Sequence, residues 1–98
     1  MDNLSIIYIN QLWDELGLNL GELVSTAESN LSLKLDKEED SNEYYVLTIN
    51  EGENTFLTLG GLDTVYASFD ESNKLTLRVR KLAISVTLIR NEAEVEHD

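Results

Sequence analysis

Leu31-Ser32-Leu33-Lys34-Leu35 is the first stretch of this chain in which apolar and polar residues strictly alternate. A period of two is typical of a β-strand with one buried face, because successive side chains point to opposite sides of the strand. The alternation returns at Tyr45, Leu47 and Ile49; at Thr55, Leu57 and Leu59; at Val65, Ala67 and Phe69; at Leu75, Leu77 and Val79; and at Ile84, Val86 and Leu88. These runs predict a sheet of five or six strands.

Short, turn-rich segments connect the predicted strands. They are Asp36 to Asn42, Asn50 to Asn54, Gly60-Gly61, Asp70 to Asn73 and Lys81-Leu82. Such connections favour antiparallel neighbours, since a parallel crossover needs about a dozen residues or more. We expect the glycine pair to break or bulge a strand.

The N-terminal segment has a helical period instead. Apolar residues recur at intervals of three and four positions, at Ile6, Ile9, Leu12, Trp13 and Leu16, and Gly17 follows the last of them. This spacing predicts an amphipathic helix of about three turns. Trp13 is expected toward the edge of the core, where its N–H can find a partner.

A second, shorter helix is also predicted. Asn19 and Glu22 have the spacing of a capping box, although Gly21 counts against a helix here. The apolar set behind the box is Leu20, Leu23, Val24 and Ala27. The predicted fold class is α+β, with one or two N-terminal helices packed on a five- to six-stranded antiparallel β-meander. We expect one domain over residues 1–90 and a flexible acidic tail over residues 91–98.

Charge is distributed unevenly along the chain, whose formal net charge is −12. Residues 1–73 contain fifteen acids and two lysines, residues 74–90 contain five basic residues and no acid, and residues 91–98 contain four acids. This layout predicts a strongly negative surface with one basic strip, and therefore a charged macromolecule as partner. Because phosphate groups repel an acidic surface, we expect no direct binding to nucleic acid or to a membrane.

Catalytic and metal-binding chemistry has little support. The chain has no Cys, and its only histidine is His97, near the end of the acidic tail. Asp36, Glu38 and Asp40 alternate as in the opening of a calcium loop. Leu47 occupies the position at which that loop requires a bidentate Glu. We expect no cofactor, no metal and no enzymatic activity.

The acids are concentrated in the predicted loops, where they are displayed at little cost to the core. The candidate contact carboxylates are Asp36, Glu38, Glu39, Asp40, Glu43, Glu51, Glu53, Asp70 and Glu71. Carboxylates arranged in this way can occupy the places of phosphates on a basic protein surface.

Aromatic residues provide a second candidate surface. If the leucine series faces the helices, Tyr44, Val46, Phe56 and Tyr66 point away from them and form one contiguous patch. Aromatic residues among polar ones are typical of protein-binding surfaces. The alternative is that these side chains stabilise cross-strand pairs or pack beneath the tail.

The basic strip has two interpretations. Lys74, Arg78 and Arg80 are expected on the same side of one strand. A basic strand beside acidic strands lowers the repulsion within the sheet, and we favour this interpretation over an external anion site.

Val65-Tyr66-Ala67-Ser68-Phe69-Asp70-Glu71-Ser72 resembles a strand and turn of the uracil-DNA glycosylase inhibitor family. These are short acidic proteins that phages make against host DNA-binding enzymes, and this chain is similar to them in size, charge and predicted outline. The resemblance covers eight residues. It implies the class of function, and we carry over none of the family's contact residues.

Leu12-Trp13-Asp14-Glu15-Leu16-Gly17-Leu18, followed by strands at Leu31 to Leu35 and Tyr44 to Ile49, resembles the start of bacterial type III secretion chaperones. The similarity covers about half of the chain. The later dimerisation helix of those chaperones is absent from the pattern. This resemblance implies a module that holds an extended peptide and can form a homodimer.

The first hypothesis is therefore a non-enzymatic inhibitor, encoded by a phage or mobile element, that blocks a basic nucleic-acid-binding surface of a host protein such as a defence nuclease. The alternative is an interaction module such as a secretion chaperone or a toxin immunity protein. The longest uncharged run, Asn3 to Trp13, is far shorter than the roughly 20 residues that span a bilayer. We expect a cytoplasmic protein, in the host cytoplasm if a phage encodes it.

Overall fold

The computed structural model describes residues 4–28, 30–40 and 43–89. Its elements are β1 (Ser5–Tyr8), α1 (Ile9–Glu15), β2 (Val24–Ser25), β3 (Leu31–Lys37), β4 (Tyr45–Glu51), β5 (Asn54–Leu62), β6 (Thr64–Phe69), β7 (Lys74–Val79) and β8 (Leu82–Thr87). The α+β class and the antiparallel pairing are confirmed, and the strand count is wrong. The predicted tail, residues 91–98, lies outside the described residues.

The strands form two sheets, and the prediction of a single meander is therefore wrong. The first sheet has the order β2-β3-β4-β5, and the second has the order β1-β6-β7-β8. The two sheets are joined along one edge, where Thr26 bridges Leu88 and the Ile89 N–H donates to the Ser25 carbonyl at 3.0 Å. Each sheet can therefore contribute one face to a shared core and present the other to solvent.

One hydrophobic core draws on both sheets and on α1. The buried apolar residues are Ile9, Leu12, Trp13 and Leu16 around α1; Val24, Leu33, Leu35, Leu47, Ile49 and Leu62 around the first sheet; and Val65, Ala67, Leu75, Leu77, Val79, Val86 and Leu88 around the second. Each fully buried aliphatic side chain contributes about 1.5–3 kcal/mol. The alternating leucines thus face inward as predicted, whereas Phe69 at the end of β6 is exposed.

The N-terminal helix is shorter than predicted. Residues Ser5–Tyr8 form β1, which pairs with β6 and places Ile6 opposite Tyr66. Ile6 is consequently 60% exposed, while Ile9 and Trp13 of α1 are buried. The expected position of Trp13 is also wrong: only 1% of it is exposed, and its Nε1 has no hydrogen-bond partner among the described residues.

The predicted second helix does not form. Gly21 has φ +82°, a left-handed conformation that ends any helix, and Val24–Ser25 pair with β3 instead. One half of the capping-box interaction is still present, because Glu22 Oε1 accepts the Asn19 N–H at 2.9 Å. The spacing therefore marks a turn, which leads the chain from α1 into the first sheet.

The glycine pair forms a bulge in β5, as predicted. Tyr45 pairs with Leu62 and Leu47 pairs with Leu59, so both glycines lie opposite the single residue Val46. Gly61 has φ +66°, which explains the need for glycine at that position. The backbone of this bulge binds two charged side chains, Glu38 and Arg80.

Candidate protein-binding surfaces

The candidate acids occupy opposite ends of the molecule. We call the end formed by the 51–53 and 70–73 turns the turn end, and the end formed by the described part of 38–44 with 61–63 and 80–81 the loop end. β4 runs from one end to the other over seven residues, or about 20 Å at 3.3 Å per residue. A single flat contact therefore engages only one of the two acid groups fully.

A series of backbone contacts places both turns at the turn end. The Gly52 N–H donates to the Asn30 carbonyl at 3.0 Å, and Leu31 pairs with Glu51. Leu31 also accepts the Thr26 N–H at 3.2 Å. Thr26 bridges Leu88, whose N–H donates to the Asn73 carbonyl at 2.8 Å. The connection runs continuously from one acidic turn to the other.

At the loop end, several of the acids are already engaged within the molecule. The Asp36 carboxylate lies 3.8 Å from Lys34 Nζ. Glu38 accepts a hydrogen bond from the Gly61 N–H in the β5 bulge. Glu39, Asp40 and Glu43 are exposed. The neighbouring residues Ser41 and Asn42 lie outside the described residues.

Basic residues accompany the loop-end acids. Arg80, in the turn after β7, donates from Nη2 to the Gly60 carbonyl at 2.6 Å. Lys81 follows Arg80, and Lys37 ends β3 at the same end. The carboxylate of Glu38 and the guanidinium of Arg80 thus bind the same peptide group, the one that joins Gly60 to Gly61, and the guanidinium lowers the negative potential of this end.

At the turn end, three of the acids are exposed and uncommitted. The side chains of Glu51, Glu53 and Glu71 make no hydrogen bond or ion pair with the residues that the structure describes. Asp70 has a structural role, because its Oδ1 accepts the Ser72 N–H at 2.8 Å and the Lys74 N–H at 3.1 Å. Three of the four predicted acids here are therefore available for contact.

The predicted aromatic patch is divided between two surfaces. Tyr44 precedes β4, and Val46 and Phe56 belong to the first sheet, where Phe56 is 64% exposed. Tyr66 belongs to the second sheet. The four side chains do not form one contiguous surface, because the strands that carry them belong to different sheets.

The outer face of the second sheet is a surface that the sequence prediction missed. The register aligns Ile6, Tyr66 and Arg78 across three strands, and Tyr8 lies beside Thr64 in the next pair along. Ile6, Tyr8 and Tyr66 are 60%, 55% and 43% exposed. Ile6 and Tyr8 lie within the segment whose apolar spacing, from Ile6 to Leu16, predicts one helix, so the sequence pattern does not place them on a sheet.

The basic strip differs from its prediction in two ways. Arg80 does not share a strand face with Lys74 and Arg78, because it lies in the turn with φ +56°. The flanking strands β6 and β8 contain no charged residue, so β7 does not lie beside acidic strands. Among the described residues, neither Lys74 nor Arg78 forms an ion pair. Neutralisation within the sheet therefore does not explain the strip.

The described residues contain no group of three or more His, Cys, Asp or Glu side chains placed to hold a metal ion. The one helix in the described part of the chain, α1, has seven residues and cannot cross a membrane. No family model, curated protein or solved structure matches this chain.

Proposed function

We propose that this protein is a non-enzymatic inhibitor, encoded by a phage or mobile element, that binds the basic nucleic-acid-binding surface of a host protein through its turn end. The observation that carries the proposal is the set of three exposed, uncommitted carboxylates, Glu51, Glu53 and Glu71, on two ordered turns. A defence nuclease is the kind of host protein that such an inhibitor would block.

Local charge favours the turn end over the loop end. The described residues of the turn end and its immediate flanks include five acids, Glu28, Glu51, Glu53, Asp70 and Glu71, and one base, Lys74. The net charge of these described residues is therefore −4, and none of them is an arginine. At the loop end, Lys37, Arg80 and Lys81 oppose the acids, and Glu38 is engaged with Gly61. A basic partner surface is attracted more strongly to the end with fewer opposing charges.

The backbone of the turn end is held in place before binding. Asp70 fixes one turn with two hydrogen bonds, and the Gly52 N–H fixes the other on Asn30. Contact groups on an ordered backbone lose less conformational entropy on binding than groups on a mobile loop. This preorganisation favours Glu51, Glu53 and Glu71 as the residues that contact the partner.

The mechanism is substitution of carboxylates for phosphates. About five strand spacings of 4.8 Å separate the β4–β5 turn from the β6–β7 turn along the joined sheets, so the acids extend over at most about 24 Å. A row of negative charges of that extent covers several of the contacts that a basic protein makes to a nucleic acid backbone. The net charge of −12 should also accelerate association at low salt.

A matched pair of triple variants tests the site. One variant carries Glu51→Gln, Glu53→Gln and Glu71→Gln; the other carries Glu39→Gln, Asp40→Asn and Glu43→Gln. Host proteins captured by the immobilised wild-type protein at low salt supply the partner. We expect the turn-end variant to bind this partner at least about tenfold more weakly than the loop-end variant, since three local contacts are lost.

Both variants change the net charge equally, so long-range attraction weakens equally in both. Unchanged thermal unfolding would show that each variant folds. Equal losses of affinity in the two variants would contradict a site at the turn end. Affinity that stays constant between about 50 mM and 500 mM salt would contradict the electrostatic mechanism altogether.

A specific observation favours a second candidate function, that of a peptide-holding interaction module. Within the described part of the chain, β5 pairs only with β4 and is therefore an edge strand, and Phe56 on it is 64% exposed. An open edge can add an extended peptide as a further strand. Binding that survives the turn-end substitutions but is lost in Phe56→Ala would support this module instead of the inhibitor.

A further inference from the structure

We propose that the outer face of the second sheet is a separate binding site for an acidic protein segment in an extended conformation. The site consists of two cationic side chains, Lys74 and Arg78, beside an apolar strip of Ile6, Tyr8 and Tyr66. Its charge is opposite to that of the turn end. The protein would then hold two partners of opposite charge at the same time.

The strand register creates the site. Ile6 pairs with Tyr66, and Tyr66 pairs with Arg78, so these three side chains form a row across β1, β6 and β7. The Arg78 guanidinium carbon lies 5.2 Å from the centroid of the Tyr66 ring, which holds the cation against an aromatic face. Tyrosine and arginine are the residues most often found at the centres of protein interfaces.

The charge on this face has no counterpart within the described part of the molecule. All the other outward residues of the second sheet are uncharged: Thr64, Ser68, Thr76, Ala83, Ser85 and Thr87. Two acids that contact the strands of this sheet, Glu28 and Asp70, bind its backbone and not its cations, because Glu28 Oε1 accepts the Thr87 N–H at 2.9 Å and Asp70 accepts the Lys74 N–H. Charge complementarity therefore favours an anionic occupant.

The spacing of the cations specifies the occupant further. Lys74 and Arg78 are four residues apart on one strand, or about 13 Å, with their side chains on the same face. An extended peptide running along β7 presents two carboxylates at that separation when they are also four residues apart. The side chain midway between them points to the same face as the carboxylates, so it can reach the apolar strip of Tyr66, Ile6 and Tyr8.

The overall charge favours a protein segment over nucleic acid. A strand of nucleic acid has one phosphate per nucleotide, and the carboxylates elsewhere on a molecule of net charge −12 repel every phosphate beyond the two cations. A peptide with only two carboxylates matches the two cations and adds no further repulsion. Its apolar side chains can cover Ile6 and Tyr8, which are otherwise exposed.

The test uses the peptide Gly-Glu-Thr-Tyr-Thr-Glu-Gly, in which the tyrosine shares one face with both glutamates, labelled for fluorescence anisotropy, and the full chain. One variant carries Lys74→Gln and Arg78→Gln. Its matched control carries Lys34→Gln and Lys37→Gln, which removes the same charge from the first sheet. We expect the Lys74/Arg78 variant to bind at least about tenfold more weakly than wild type, and the control to change affinity less than about twofold.

A Tyr66→Leu variant gives a second measurement. It keeps an apolar side chain in the sheet but removes the ring face beneath Arg78, so peptide affinity should fall while the unfolding temperature changes little. The peptide with both glutamates replaced by glutamine should bind as weakly as the wild-type peptide binds the Lys74/Arg78 variant.

Several results would overturn the proposal. The first two are no peptide binding at about 1 mM and equal losses of affinity in the Lys74/Arg78 variant and the Lys34/Lys37 control. The third is tighter binding of an oligothymidylate than of the peptide. The last is dimerisation of the protein that the Lys74/Arg78 substitutions abolish. The last result would assign the face to a second copy of the chain. The triple variant at Glu51, Glu53 and Glu71 should keep its peptide affinity, so failure here and failure of the proposed function are distinguishable.

Discussion

At the scale of single residues, Gly61 lies in the bulge of β5 where the backbone binds both an acidic side chain, Glu38, and a basic one, Arg80. Its N–H donates to Glu38, its φ is +66°, and a Cβ placed on it would lie 3.4 Å from Arg80 Nη2. A side chain at this position therefore lowers stability, because a left-handed backbone disfavours a Cβ atom. The added Cβ also crowds the Arg80 side chain.

The first prediction compares two glycines. Gly61→Ala should lower the free energy of unfolding by about 1–2 kcal/mol from the backbone alone, and further if Arg80 is displaced. Gly52→Ala is the control, because Gly52 has φ +63° but no atom within 4 Å of the added Cβ. Urea unfolding should show the larger loss for Gly61→Ala. Equal losses would mean that the Arg80 contact contributes nothing.

Asp70 allows a second test at this scale. Asp70→Ala removes the acceptor for two backbone N–H groups and should cost about 1–2 kcal/mol of stability. Asp70→Asn keeps an acceptor oxygen and should recover most of that loss. Glu71→Ala, which removes an exposed neighbour, should change stability by less than about 0.5 kcal/mol. Thermal unfolding of the three variants checks this order.

At the scale of elements, β1 and α1 show how pairing overrides a local pattern. Ile6 and Ile9 have helical spacing, yet Ile6 lies in a strand because its backbone pairs with β6, a segment almost 60 residues away in sequence. No local pattern contains that long-range pairing. The strands that contain Leu33, Leu47 and Leu77 were predictable, because the apolar residues of their alternating pattern are the ones that the fold buries.

This difference between β1 and α1 gives the third prediction. Ile9 is fully buried, whereas Ile6 is 60% exposed. Ile9→Ala should therefore cost about 2–5 kcal/mol, and Ile6→Ala less than about 1 kcal/mol. Urea unfolding measures both. Comparable large losses would restore the longer helix, in which both isoleucines face the core.

The candidate site was only partly predictable at this scale. The acids of the two hairpin turns were identified because turn residues are exposed wherever the strands lie. The division of Phe56 and Tyr66 between two sheets was not predictable. The period-two pattern indicates which face of a strand a residue occupies, but not which sheet that strand joins. For the same reason, the sequence did not reveal the alignment of Arg78 with Tyr66.

At the scale of the whole molecule, net charge opposes folding. The charge of −12 is distributed over a chain of 98 residues, so repulsion among carboxylates should lower stability at low ionic strength. Added NaCl should raise the unfolding temperature by several degrees between about 20 mM and 500 mM. Calorimetry measures this shift.

The turn-end triple variant serves as the control for that measurement. Replacement of Glu51, Glu53 and Glu71 by Gln changes the net charge from −12 to −9, so the rise with salt should be smaller. An unfolding temperature that is independent of salt in the wild-type protein would show that its carboxylates repel one another too weakly to matter.

The two opposite surfaces give the molecule a polarity. The turn end presents carboxylates, and the outer face of the second sheet presents Lys74, Arg78 and aromatic side chains. Docking through the turn end leaves that face accessible. If a basic partner docks through the turn end as we propose, it binds in one orientation, because the cationic face repels it.

The central claim is that the turn end occupies the place of a nucleic acid on its partner. Competition measures this directly: the captured host protein is loaded with labelled nucleic acid, and the wild-type protein is then added in increasing amounts. We expect the wild-type protein to displace the nucleic acid completely, and the variant at Glu51, Glu53 and Glu71 to displace little of it. A stable ternary complex of host protein, nucleic acid and wild-type protein would show that the turn end does not occupy the nucleic-acid site.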